Sequence, residues 1–165
     1  LRGVNEDQVL PLLERFRGTG HVVRFIEYMD VGTCNGWDPA QVVRAEELRE
    51  RIAARWPLRP LAADYTGEVA RRYAFADGGG EVGFIGSVSA PFCGDCHRAR
   101  VSADGHLYTC LFADSGQDLK PALAEGEQGV AEALARLWSA REDRYSEIRG
   151  RAPARRPIEM YLIGG

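Results

Sequence analysis

Cys93 and Cys96 stand two residues apart in the run Pro91-Phe92-Cys93-Gly94-Asp95-Cys96, and Cys110 follows after a stretch with an Asp-Gly pair at Asp104-Gly105. Two intervening residues let a tight turn, eased by Gly94, aim both thiolates at one ion or cluster. A hairpin folded at the Asp-Gly pair would bring Cys110 back beside Cys96. Three thiolates can hold a cubane cluster with one iron open, whereas a structural zinc takes a fourth protein ligand. His97, His106 and Cys34 are the candidates for that fourth place, and neither histidine sits at a usual zinc spacing. Spacing alone leaves three chemistries open: an iron–sulfur cluster, a zinc-stapled binding module, and a redox dithiol with an incidental third cysteine.

Three arginines are the other residues able to do chemistry. Arg98 and Arg100 flank Ala99 within the cysteine run and read either as anion binders or as the solvated face of a hairpin. Arg24 lies inside an apolar stretch, His21-Val22-Val23-Arg24-Phe25-Ile26-Glu27-Tyr28-Met29, where a charge must find a partner; Glu27 and Glu68 are the acidic candidates.

These residues need elements to position them. A helix from Asn5 through Val9, Leu12, Leu13 and Phe16, ended by Gly18 and Gly20 and delayed or kinked by Pro11, leads into the apolar stretch. That stretch is apolar on both alternating faces, as in a parallel strand covered on each side, which makes the opening α/β. Asp38-Pro39-Ala40-Gln41 has the form of a helix start, with Leu48, Ile52 and Trp56 extending its stripe to Pro57. Residues 58–67 carry little periodicity and read as a linker between an α/β piece at 1–57 and a different domain at 68–165. In that domain, Val69 to Ala76 and Val82 to Val88 form an antiparallel hairpin about Asp77-Gly78-Gly79-Gly80. Val130, Ala133, Leu134, Leu137 and Trp138 mark one face of a later helix, and the arginine-rich stretch from Arg149 should be mobile up to Pro157.

Composition narrows the partners. At 45% hydrophobic and 27% charged residues, the 165-residue chain can bury a core. Its net charge of −3 offers no global basic field for nucleic acid or an anionic membrane, so an anion site must be built locally. No apolar run approaches the roughly 20 residues of a membrane span, and no secretory segment opens the chain. A cytoplasmic protein is expected, and the start at Leu1 without a Met reads as a piece of a longer chain. Clustered cysteines in a reducing compartment point to a metal.

Three separated motifs bear a family resemblance. Cys93-Gly94-Asp95-Cys96-His97-Arg98-Ala99-Arg100-Val101-Ser102-Ala103-Asp104-Gly105, followed by Cys110-Leu111-Phe112, resembles the C-terminal cluster motif of the GTP cyclases of molybdenum-cofactor biosynthesis. Arg24-Phe25-Ile26-Glu27-Tyr28-Met29 is similar to that family's late barrel strand, and Met160-Tyr161-Leu162-Ile163-Gly164-Gly165 to its double-glycine terminus. The resemblance implies the last strand and flanking helices of an incomplete TIM-type barrel, followed by a small α+β domain with antiparallel strands.

It further implies a radical S-adenosylmethionine lyase with two 4Fe–4S clusters, in which a 5′-deoxyadenosyl radical takes hydrogen from the ribose of GTP and the ribose carbon closes onto C8 of guanine. On this resemblance Cys93, Cys96 and Cys110 hold the C-terminal cluster with one open iron, Arg24, Arg98, Ala99 and Arg100 contact GTP, and Met29 contacts S-adenosylmethionine. Gly164 and Gly165 form a tail reaching into the active site. Cys34, Trp37 and the tail arginines receive no role. GTP and S-adenosylmethionine are the implied partners, with no nucleic acid or membrane, and a homodimer is an assembly open to the intact protein. The first cluster's Cys-x-x-x-Cys-x-x-Cys is absent from these residues, so this stretch alone is expected to be inactive.

Overall fold

The computed structural model describes residues 1–151 and 156–163. Its first strand, β1 (Val23–Ile26), runs parallel to β4 (Glu81–Ile85), with Val23 opposite Val82 and Phe25 opposite Phe84. β4 pairs antiparallel with β3 (Arg71–Phe75), and β3 with β2 (Leu58–Pro60), giving a mixed sheet in the order β1-β4-β3-β2. The expected hairpin is therefore β3–β4. In its turn Asp77 Oδ1 accepts the Gly79 N–H at 3.0 Å, while Gly78 and Gly80 take φ of +80° and +93°, where a Cβ would be strained. The stretch read as a linker begins with β2, which pairs with the outer side of β3; Pro60 is tolerated there because an edge strand has one side with no ladder to feed.

Helices α1 (Val9–Phe16) and α2 (Ala45–Ala53) pack on this sheet. Val82 and Phe84 alternate onto one face of β4 and join Val9, Leu13, Val43, Leu48, Ile52 and Phe75 in a buried core. Pro11 falls in the first turn of α1, where its missing N–H has no intrahelical acceptor to leave empty. Asn5 does not cap this helix: its side chain accepts from the Leu1 amino group at 2.8 Å, and a 3₁₀ turn, Glu6–Gln8, precedes α1. Asp38 does cap, accepting the Ala40 N–H at 2.8 Å, but only a 3₁₀ turn, Pro39–Gln41, follows. Val42 is extended and buried with Val43, which breaks the stripe and delays α2 to Ala45.

The chain divides into two compact units, Leu1–Met29 with Trp37–Cys96, and Asp30–Gly36 with His97–Gly165. The second is built on a three-stranded antiparallel sheet of β5 (Arg100–Val101), β6 (His106–Tyr108) and β7 (Gln117–Asp118), in that order. Gly105, at φ +85°, turns β5 into β6. Helices α3 (Lys120–Ala124) and α4 (Gly126–Ser139) meet at Gly126, at φ +79°, and bury Leu107, Leu119 and Ala133 with Ala122 and Leu137. Of the face expected on α4, Leu134 and Trp138 remain 38% and 39% exposed, so this smaller core uses a narrower stripe.

After α5 (Tyr145–Ile148), Arg149 is anchored rather than mobile: its Nε donates to Asp30 Oδ1 at 2.9 Å, and its guanidinium lies over the Phe112 and Tyr145 rings. Gly164 and Gly165, like Arg155, lie outside the described residues. No described helix is long and apolar enough to cross a membrane.

Candidate functional site

The end of β1 carries the first group of candidates. Register places Arg24 opposite Gly83, and the position a Cβ on Gly83 would take lies 3.2 Å from Arg24 Cγ, so the arginine stem crosses the glycine on the face away from Val82 and Phe84. The side chain is exposed and forms no ion pair among the described residues. Neither expected carboxylate reaches it. Glu68 accepts the Asp64 N–H at 2.9 Å and lies 3.8 Å from Arg72. Arg24 needs no buried partner because β1 is the sheet's edge among the described residues, with Val22 and Ile26 44% and 58% exposed, rather than a strand covered on both faces.

Glu27 has a different task. Only 4% exposed, it accepts the Ala45 N–H at 2.7 Å, the Val88 and Ser89 N–H groups at 2.8 and 2.7 Å, and the Ser89 hydroxyl. A carboxylate with this many donors is satisfied without a cation, and the Ala45 N–H belongs to the first turn of α2, where the helix dipole favours negative charge. Glu27 thereby ties the end of β1 to the segment that leads into Cys93. Met29, half-buried, follows two residues later.

Cys93–Asp95 forms a 3₁₀ turn closed by the Cys96 N–H on the Cys93 carbonyl at 3.3 Å, which gives the expected tight turn between two half-buried thiols. Gly94 is not what permits it: its φ is not positive, and an added Cβ would meet nothing within 4 Å. The two compact units divide the three thiols, Cys93 and Cys96 in the first and Cys110 in the second. Among the described residues, no group of three His, Cys, Asp or Glu side chains is placed to hold a metal ion.

In the second unit, Arg98 and Ala99 are exposed just ahead of β5, and Arg100 is half-buried on it. The Cys110 sulfur accepts the Phe112 N–H at 3.4 Å. Asp104 Oδ2 lies 3.1 Å from His106 Nδ1, and the Ser102 hydroxyl, ahead of that histidine, holds the Asp104 carboxyl below its usual range. His106 is thus engaged at the hairpin turn, while His97 is exposed.

A further cluster carried no sequence signal. Asp30 accepts from the Tyr145 hydroxyl at 2.7 Å and from Arg149, and Glu159 Oε1 accepts the Thr33 N–H at 2.8 Å together with the Thr33 hydroxyl. Thr33 and Glu159 are 126 positions apart, a separation that local pattern cannot bridge.

Residues 21–147 match the family described as Molybdenum Cofactor Synthesis C. A protein named GTP 3',8-cyclase from Xanthomonas campestris pv. campestris (strain B100) is 73% identical over 165 residues, covering 99% of this chain and 49% of the relative. Proteins of the same name from Xanthomonas axonopodis pv. citri (strain 306) and Synechococcus sp. (strain WH7803) are 71% and 52% identical, again over 99% of this chain, and over 49% and 47% of their own lengths. The chain spans about half the length of the curated relatives it matches.

Proposed function

Because the chain belongs to the Molybdenum Cofactor Synthesis C family, we propose that it forms the substrate-binding half of a radical S-adenosylmethionine GTP 3',8-cyclase, a lyase that converts GTP to 3',8-cyclo-7,8-dihydro-GTP on the way to the molybdenum cofactor. The observation that carries this reading is the run from Cys93 to Cys110, in which three half-buried cysteines in the thiol form bracket Arg98-Ala99-Arg100. The donor set fits an iron–sulfur cluster: thiolates are the ligands such clusters take, and the Phe112 N–H aimed at the Cys110 sulfur is the kind of hydrogen bond that tunes them.

Held by Cys93, Cys96 and Cys110, a 4Fe–4S cluster would supply one open iron as a Lewis acid for the guanine base. The remaining work falls to the chain's own side chains. Arg98 and Arg100, with the Ala99 backbone between them, bind triphosphate oxygens through planar guanidinium groups suited to bidentate contact. Arg24 adds a charge with no carboxylate to neutralise it among the described residues. Met29 contacts S-adenosylmethionine beyond the end of β1, the last strand of an incomplete TIM-type barrel, and Gly164 and Gly165 belong to the tail that reaches into the family's active site. A second cluster and the radical come from elsewhere in the complete polypeptide, so these 165 residues alone do not cyclise GTP.

The test is anaerobic reconstitution of a polypeptide as long as its relatives, with iron and sulfide counted. GTP, and inosine triphosphate, which keeps the N1/O6 edge, should change the paramagnetic resonance spectrum of the reduced C-terminal cluster, whereas ATP should act more weakly. A spectrum untouched by saturating GTP, or one zinc and no sulfide on elemental analysis, sinks the reading and leaves a zinc-stapled module.

A further inference from the structure

The segment Asp30–Gly36 leaves β1 but is compact with residues 97–163, and three contacts within that unit show what it grips. At its start Asp30 is held by the Tyr145 hydroxyl and by Arg149 Nε, at 2.7 and 2.9 Å. At its middle Gly32 adopts φ +65°, and a Cβ there would overlap Glu159 Oε2. Next to it, the Thr33 N–H and hydroxyl both donate to Glu159 Oε1.

On the other side of this grip, Glu159 opens the last described turn of the chain. Its carbonyl accepts the Leu162 N–H at 3.0 Å, the Ile163 N–H bonds to Met160 at 3.1 Å, and Ile163 is 2% exposed. Just upstream, the Ile158 N–H bonds to the Ala113 carbonyl at 2.9 Å. Burial of Ile163 and the backbone bonds account for the packing of this turn. The Glu159 carboxylate buries little and is tied instead through Oε1, which accepts both the N–H and the hydroxyl of Thr33.

We propose that Glu159 is a positioning residue: with Gly32 and Thr33 it latches the turn Met160–Leu162 to the loop that follows β1, and so holds the segment that leads to Gly164 and Gly165, the residues assigned above to the active site. The latch rests on the cyclase reading, and deepens it by naming the residues through which the tail acts. Gly32 serves it in two ways, by adopting a positive φ and by leaving the carboxylate room to approach. Thr33 serves it through a hydroxyl that Val cannot replace at equal shape.

The experiment uses the full-length, anaerobically reconstituted protein carrying Glu159→Ala, Thr33→Val or Gly32→Ala. We expect Glu159→Ala and Gly32→Ala to lower kcat about tenfold or more, the scale of a reacting group misplaced by a fraction of an ångström to an ångström. In Glu159→Ala the KM for GTP, the thermal midpoint and the cluster spectrum should stay at wild-type values, with Thr33→Val milder in the same sense, whereas Gly32→Ala should also lower the thermal midpoint because a Cβ at φ +65° is strained. In a background lacking Gly164 and Gly165, Glu159→Ala should have no further effect on kcat, because the residue it acts through is gone. Amide hydrogen exchange at Leu162 and Ile163 should quicken in Glu159→Ala whether or not the protein turns over.

Wild-type kcat in both Glu159→Ala and Gly32→Ala overturns the proposal, as does an undiminished Glu159→Ala effect in the deletion background, or a thermal midpoint of Glu159→Ala that falls along with its kcat. If the unsubstituted protein cyclises no GTP, the cyclase reading fails separately. Hydrogen exchange then decides the contact itself, and unchanged exchange overturns the latch.

Discussion

Glu27 and Glu159 are both carboxylates that accept backbone N–H groups and a hydroxyl, and neither forms an ion pair among the described residues. They differ in where they do it. Glu27 is 4% exposed between a strand end, a helix start and the segment before Cys93, and the Ala45 and Val88 donors it satisfies are themselves half-buried, with less water to turn to. Glu159 is partly exposed at the end of the chain, and Thr33 can be solvated when the contact opens. The same acceptor chemistry therefore builds the fold in one unit and directs a tail in the other, because the cost of leaving a donor unsatisfied depends on whether water can reach it.

The largest expected effect tests the buried half of that contrast. Glu27→Ala leaves the donors of Ala45, Val88 and Ser89 without their acceptor and should destabilise the chain by about 3 kcal/mol, the upper end of the cost of an unsatisfied buried donor because more than one is stranded. Urea unfolding followed by circular dichroism measures it, and Glu159→Ala should leave the same midpoint unmoved. Equal losses from the two variants would break the comparison, showing that Glu159 also holds up a core.

Arginines sharpen it at the next scale, because Arg98 and Arg100 are assigned to a ligand and not to the fold. Arg98→Ala or Arg100→Ala in the full-length protein should weaken GTP binding by about 1.5–3 kcal/mol each, the worth of a charge-assisted hydrogen bond. Stability should change little, since Arg98 is exposed and Arg100 half-buried. Calorimetric titration with GTP gives the first number and urea unfolding the second. Unchanged affinity in both variants returns the two arginines to a solvated hairpin face.

What the sequence disclosed follows a division between local and distant causes. The β3–β4 hairpin, the turn at Gly105 and the 3₁₀ turn at Cys93 were legible because each is fixed by residues within a few positions of one another. The helix from Asp38 was misread since Val42 and Val43 bury themselves between turn and helix, a tertiary demand that a capping pattern cannot express. Arg24 was given a carboxylate on the assumption of a strand covered on both faces; at the sheet edge it stays in water and needs none. Local pattern assigns Arg149 to a mobile tail because its partner, Asp30, is 119 positions away. Types and spacing single out the three cysteines but leave cluster, zinc and redox dithiol open, and they do not tell which part of the fold carries each; the two units divide them between 96 and 97.

The smallest expected effect concerns protons at Glu159. The Thr33 hydroxyl first, then the Thr33 N–H and the Cys34 thiol, hold its carboxyl below the ordinary value of 4.5. All three donate to the ionised form, so the folded chain keeps Glu159 charged at a pH where the unfolded chain has begun to bind a proton. The local hold of the latch on the turn at Leu162 and Ile163 is therefore complete above the ordinary value, and it is lost as pH falls through the depressed folded one. Acid also weakens Glu46, Glu47, Asp77 and Asp104, whose carboxyls are lowered by Arg49, Arg2, Arg17 and Ser102 respectively, so the wild-type curve alone mixes five sites. Subtracting the curve of Glu159→Gln, which retains the other four, isolates the tail. Hydrogen exchange at Leu162 and Ile163, followed from neutral pH to about pH 3 and corrected for the intrinsic exchange rate, should show a wild-type advantage that is flat down to roughly pH 5 and closes below it. An advantage that persists at the acid end would mean that the shape of the side chain, and not its charge, holds the tail. An advantage that grows in acid would reverse the sign of the linkage and remove the charged hydrogen bonds to Thr33 from the account.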